Sequence, residues 1–254
     1  MDYFENIRVM GKVVEEMMRP YEVLAKQMED VEKSISDAFK LPEIDFSKFE
    51  IDRELIKKRI EKNTSLGWAL NDYVNMDTYL EHSLEDKTNL EIDEYFYEYY
   101  TSDNEEVFKH VFEYILENAN IIHQSLLYDA YHAYKDGHIK TIIPTMLLAI
   151  EGELIQLIDK PEKKGYWLAI EIERKYKSLK EGDLAKLVLF SICSYLQKTL
   201  YTRGDFSNSA KFTNNRHQIL HGRSDSSLWT KVDLVKYTSF LCSIISVKEI
   251  LKDE

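Results

Sequence analysis

The chain has 254 residues, a formal net charge of −12 and only 8 glycines and 4 prolines, a composition that excludes collagen-like and low-complexity classes and suits a mostly helical protein with a substantial core. Its length permits one large domain or two small ones. So acidic a chain is not one that coats nucleic acid without specificity, because such binding neutralises many phosphates with Lys and Arg.

Residues 3–18 carry apolar side chains at Phe4, Ile7, Met10, Val13, Val14 and Met17, a helical recurrence that Pro20 interrupts before a second helical run reaches about Phe39. "LPEIDFSKFE" holds a proline and no sustained period and reads as a loop. Helices resume at about 51–62 and 66–82, around the capping-like "NTS". The polar stretch "LEDKTNLEIDE" is the best candidate boundary, dividing a helical N-terminal region, 1–90, from a helical domain, 91–254. Beyond it helices are expected at about 91–100, 104–117, 119–135, 140–158, 162–179, 183–202, 208–221 and 230–252, with Gly137, Pro161, Gly182, Gly204 and Gly222 as punctuation. Almost nothing reads as strand and no internal repeat is present, so the expected fold class is all-α.

No N-terminal segment joins basic residues to an apolar run, and the longest apolar stretches, such as "IIPTMLLAI", fall short of the roughly 20 residues a membrane helix requires. The expectation is a cytoplasmic protein without a membrane partner. Cys193 and Cys242 each lie in apolar surroundings, "LFSICSYL" and "SFLCSIIS", which favours buried free thiols over a disulfide or a metal site. The aromatic run "YFYEYY", 95–100, suits a core or an interface better than base stacking.

Charge is unevenly placed. Residues 85–117 are strongly acidic, whereas between Lys198 and Arg223 the basic residues Lys198, Arg203, Lys211, Arg216 and Arg223 face one acid, Asp205. Within that basic stretch lies "NNRHQILHGR", residues 214–223. An Arg-x-x-x-x-His spacing is weak by itself, since 7 histidines and 8 arginines give about 0.2 such pairs by chance. More is present: a second imidazole at His217, the aliphatic pair Ile219 and Leu220, and Gly222 directly after His221. On a helix His217 and His221 share a face, while Arg216 lies roughly 140° around the axis from His221. One undistorted helix therefore cannot aim all three at one phosphate. Gly222 lets the chain leave the helix after His221, at a C-terminus where the macrodipole favours a protonated imidazole. By spacing alone, a capping histidine on a helix anchored by Ile219 and Leu220 is the simpler reading.

"FTNNRHQILHGR" resembles the signature of the HEPN superfamily, in which Arg, a polar residue that is often Asn, Asp or His, and then His recur; Arg216, His217 and His221 match in turn. Abortive-infection-type members show a similar string preceded by a long helix with an "EG" pair like Glu151 and Gly152. The resemblance covers about residues 91–254. It implies an antiparallel all-helical bundle, commonly a homodimer, with the motifs of two copies facing each other across a cleft to form a composite active site. It also implies metal-independent endoribonuclease activity without cofactor, in a toxin or antiphage effector; an antitoxin or other regulatory protein is a partner consistent with such a role. Some members carry a tyrosine two residues after the histidine that a partner nucleotidyltransferase modifies; here that position is Arg223.

For RNA cleavage by its own 2′-hydroxyl, Arg216 suits the phosphoryl oxygens, since guanidinium is a fixed, permanently charged fork. His221 is the expected general acid or base, with His217 or the His221 of a second copy as its complement. Asn214, Asn215, Arg223 and Glu151 are candidates for binding substrate or supporting Arg216. Asn214 and Asn215 equally suit a helix N-terminus, and Glu151 an exposed position beside a close helix crossing. His82, His110, His123, His132 and His138 read as surface or packing residues. The rival readings are a non-catalytic module of the same fold that grips a nucleotide or RNA, and a helical interaction protein whose acidic 85–117 face docks a basic partner.

Overall fold

In the computed structural model, which describes residues 53–180, 184–202 and 215–251, the apolar periodicities fold as helices, and no strand occurs among the described residues. The all-α expectation holds. The chain divides into compact units at 1–51 and 52–254, and every described residue belongs to the second. The helices expected within 3–39, the loop after them, and residues 203–214, including Asn214, Arg203 and Lys211, lie outside the described residues.

Helix α1, Arg53–Ser65, ends at Gly67, whose φ of 95° breaks the helical path. "NTS" finishes this helix instead of capping a new one: Asn63 Nδ2 donates to Tyr79 O at 2.8 Å, and the Asn63 carbonyl accepts from Leu66 and Trp68. The helix expected over 66–82 is mostly a buried turn-rich segment, relieved only by α2, Met76–Tyr79, and a 3-10 turn at His82–Glu85. Its apolar residues, Trp68, Ala69, Leu70 and Val74, enter the core, and its backbone is satisfied from elsewhere: Leu70 N donates to Ser191 Oγ at 2.9 Å.

Residues 85–91 are not a linker. Thr88 and Glu91 form a reciprocal capping box that starts α3, Asn89–Asn118. Ile60, Trp68 and Tyr79 share one core with residues drawn from as far as Val247, so the compact unit begins at residue 52 and not at 91. Helix α3 breaks at Ser102–Glu105, where the sequence placed a gap between two helices, and Asp103, Asn104 and Glu105 take left-handed φ of 48°, 59° and 66°. The Glu105 carboxylate is gripped there by Lys231 and Tyr134.

Helix α4, Ile121–Lys135, is capped by Asn120, and a short turn at Gly137 leads into α5, Ile139–Ile158. Helix α6, Tyr166–Ser178, starts after Gly165, later than expected, because the segment from Pro161 turns with Gly165 at a φ of 57°. Helix α7, Leu184–Tyr195, runs into a π-helical turn, Leu196–Leu200; the one-turn α8, Arg216–Leu220, and α9, Lys231–Ile250, follow. Every residue from Asp233 to Val247 is buried, which makes α9 the central helix. It packs on α5, α3 and α7.

One expectation changes. α5 has 20 residues and is long and apolar enough to cross a membrane, although half of that span is buried in the fold. The apolar run "IIPTMLLAI" ends before Glu151; in the fold Glu151 and Glu153 meet Arg216 and Lys248, and the helix packs against α9 and α4. Both cysteines are free and buried, and burial pushes each thiol up to about 12, so neither is a nucleophile near neutral pH. Of the aromatic run, Phe96 and Tyr100 are buried, and Trp68 stacks against Tyr100 with centroids 6.0 Å apart. The acidic 85–117 stretch is partly consumed internally: Asp93 accepts from Trp68 Nε1 at 2.8 Å and pairs with the buried Lys236 at 2.7 Å.

Candidate active site around Arg216

Helix α8 is a single turn, and three local features set its ends. Asn215 caps the start: its Oδ1 accepts from the N–H groups of His217 at 2.9 Å and Gln218 at 3.3 Å. At the other end His221 N donates to His217 O at 3.2 Å, after which Gly222 takes a φ of 65°. The carbonyl of Gln218 then accepts from Arg223 N at 2.8 Å and Ser224 N at 3.1 Å, so the chain turns away where Gly222 permits. Ile219 is buried and Leu220 half-buried against the core, which fastens the turn to the body of the protein.

Asn215 is itself buried, and its Nδ2 donates to both the carbonyl and the hydroxyl of Thr202. Its side chain is therefore engaged at both ends, capping α8 through Oδ1 and donating to Thr202 through Nδ2.

Arg216 faces α5. Its Nη2 donates to Glu151 Oε2 at 2.7 Å and its Nε lies 2.6 Å from Glu151 Oε1. The two side chains are only 24% and 18% exposed, and Nε, although close, is not aligned for a hydrogen bond, so this is a part-buried ion pair held by one hydrogen bond from Nη2. Tyr201 O–H donates to the same Glu151 Oε1 at 3.2 Å. Burial, with Glu151 beside it, pushes the Tyr201 hydroxyl up, so it remains a donor. The π-helical turn before Tyr201 closes with Tyr201 N donating to Leu196 O at 2.8 Å. That extra residue in the turn delivers Tyr201 to Glu151 and Thr202 to Asn215, two consecutive side chains that together hold the motif.

His217 and His221 stand on the exposed face, with ring centroids 4.2 Å apart in an edge-on arrangement. Partial desolvation, then His221, Arg223 and Arg216, lower His217 below the ordinary histidine value, which keeps its ring neutral and proton-accepting at pH 7. Arg223 is exposed next to them. The structure thus gathers Glu151, Arg216 and Tyr201 into one cluster and His217 with His221 into another on the same short turn, the first facing inward and the second outward.

Sequence reasoning passed over Tyr201 and Thr202, and it read His123 as a surface or packing residue. The first two carry no local signal, because their partners are 50 and 13 residues away along the chain. His123 has a signal in Gly152: a Cβ there would collide with the His123 imidazole, so the glycine of the "EG" pair is the place where α4 closes on α5. Gly152→Ala would push aside the ring end of the half-buried His123, and with alanine's better helix propensity the net change in stability is expected to stay within about 1 kcal/mol. Gly152→Ala together with His123→Ala should then be more stable than the sum of the two single changes, as read by urea midpoints. Additive effects of the two substitutions would contradict the contact.

The basic stretch is less open than its sequence implies. Lys198 pairs with Glu61 at 2.7 Å and Arg216 with Glu151, so part of its charge is met within the fold. Among the described residues no group of three or more His, Cys, Asp or Glu side chains is placed to hold a metal ion. Comparison of the chain with protein-family models, with curated proteins and with solved structures finds no match in any of the three.

Proposed function

We propose that this protein is a HEPN-type endoribonuclease, acting as a homodimeric toxin or antiphage effector, that cleaves RNA through attack of the 2′-hydroxyl and leaves a 2′,3′-cyclic phosphate. The observation that carries the reading is an exposed imidazole pair, centroids 4.2 Å apart, one helical turn from an arginine that Glu151 holds in a fixed orientation. Glu151 accepts one hydrogen bond, from Nη2, and lies against Nε; the outer guanidinium donors are the ones a phosphoryl group would meet. A neutral His217 accepts the 2′-hydroxyl proton, and His221 donates to the leaving 5′-oxygen. No metal is required for either transfer. Since Arg216 and the histidines face different ways on one short turn, a second copy completes the constellation: Arg216 of one protomer and the imidazoles of its partner grip the same phosphate.

The test is incubation of untagged protein with total RNA in EDTA. Wild type is expected to cut, and His221→Ala to cut slower by about 100- to 10,000-fold. RNA left intact by the wild type, or bound without being cut, replaces this reading with a non-catalytic binding module. In the same samples the solution mass should be that of a dimer at micromolar concentration; a fully active monomer would refute the composite site.

A further inference from the structure

The imidazole pair has a second chemistry. His217 and His221 are four residues apart, joined by a helical backbone hydrogen bond from His221 N to His217 O at 3.2 Å, and both rings are exposed. Two histidines in this relation put two imidazole nitrogens on one face, the arrangement with which a helix chelates a late first-row divalent cation. Zn–N bonds of about 2.0–2.1 Å in tetrahedral geometry hold the centroids of two ligating rings about 5 Å apart. Here they are 4.2 Å apart. Exposed side chains reach the chelating separation by a small side-chain rotation, with no backbone movement. Two arginines stand near the pair, Arg223 and Arg216, and the charge of Arg216 is met by Glu151.

We infer that His217 and His221 form a two-histidine site for Zn²⁺ or a cation of similar affinity for imidazole, and that its occupancy silences the nuclease. The metal takes one nitrogen lone pair from each ring, the lone pair that proton transfer requires, while water fills its other positions. The binding half stands on the histidine geometry alone; the silencing half rests on the ribonuclease reading. A metal would thus act as an inhibitor, and a chelator would raise activity.

The test is calorimetric titration of untagged, metal-stripped full-length protein with ZnCl₂, using wild type, His217→Ala, His221→Ala and, as a control, His82→Ala, which removes an exposed imidazole next to Glu85. Wild type and His82→Ala should bind one ion alike, and either substitution in the pair should weaken binding at least tenfold. Absence of binding, or binding that survives both pair variants or is lost in His82→Ala, would overturn the site. RNA cleavage is then followed across the same Zn²⁺ range. Inhibition at the binding midpoint that EDTA reverses supports silencing; cleavage unaffected by bound Zn²⁺ overturns it. Zn²⁺ bound at the pair by a protein that never cuts RNA leaves the site standing and removes the ribonuclease reading.

Discussion

Arg216→Ala is expected to slow RNA cleavage by about 100- to 1,000-fold, the usual cost of removing a pre-aimed donor from a developing anion. Arg216→Lys should recover little of this. Lysine restores the charge but not the planar group that donates from Nη2 to Glu151 while keeping further donors outward, so its ammonium would not be held toward the phosphate. Glu151→Gln leaves the guanidinium present but less firmly oriented, and a loss of about tenfold is expected, smaller than that of Arg216→Ala. Single-turnover rates on a short RNA measure all three. Equal rates for Glu151→Gln and Arg216→Ala would mean that the pair serves folding and not orientation, and circular dichroism of the variants would show that loss directly.

The largest effect on stability is expected at Lys248→Ala. Glu153 is fully buried; its Oε1 accepts from Asn120 N at 2.7 Å, and its Oε2 meets Lys248 of α9. This one carboxylate therefore ties α5 both to the start of α4 and to the central helix. Removing the ammonium leaves a buried charge without its partner, at a cost of about 3–5 kcal/mol. Replacing both partners together, Glu153→Leu with Lys248→Met, should cost less than Lys248→Ala alone, because no charge is then stranded. Urea unfolding read by circular dichroism checks the order. A Lys248→Ala midpoint close to wild type would show that water reaches Glu153.

Sequence made some of this legible for local reasons. The all-α class and the extent of α9, expected at 230–252 and found at Lys231–Ile250, were legible; its central place was not, because a helix buried on every side shows no apolar stripe. The break in α3 is marked by the polar "TSDN", and the end of α8 by Gly222. Other features were hidden because their causes are distant. Leu66, Ala69, Leu70 and Tyr73 have helix-like spacing, yet the segment is fixed as turns by Ser191 and by Asn71 reaching Ser239 Oγ at 2.9 Å. The assumed boundary near 90 was a misread cap: Thr88 and Glu91 carry the capping-box spacing, and polarity there signals a helix start rather than a linker. At the site, the pairing of Glu151 with Arg216 rested on the resemblance, while Tyr201 and Thr202 depend on a π-helical turn that no residue pattern announces.

The most direct test of the central claim is the chemistry of the product ends. Wild-type protein in EDTA should leave RNA fragments with 2′,3′-cyclic phosphate and 5′-hydroxyl termini, and Arg216→Ala protein should form them about 100- to 1,000-fold more slowly. Fragments bearing 5′-phosphates, or cyclic phosphates formed equally by the Arg216→Ala variant, would contradict it.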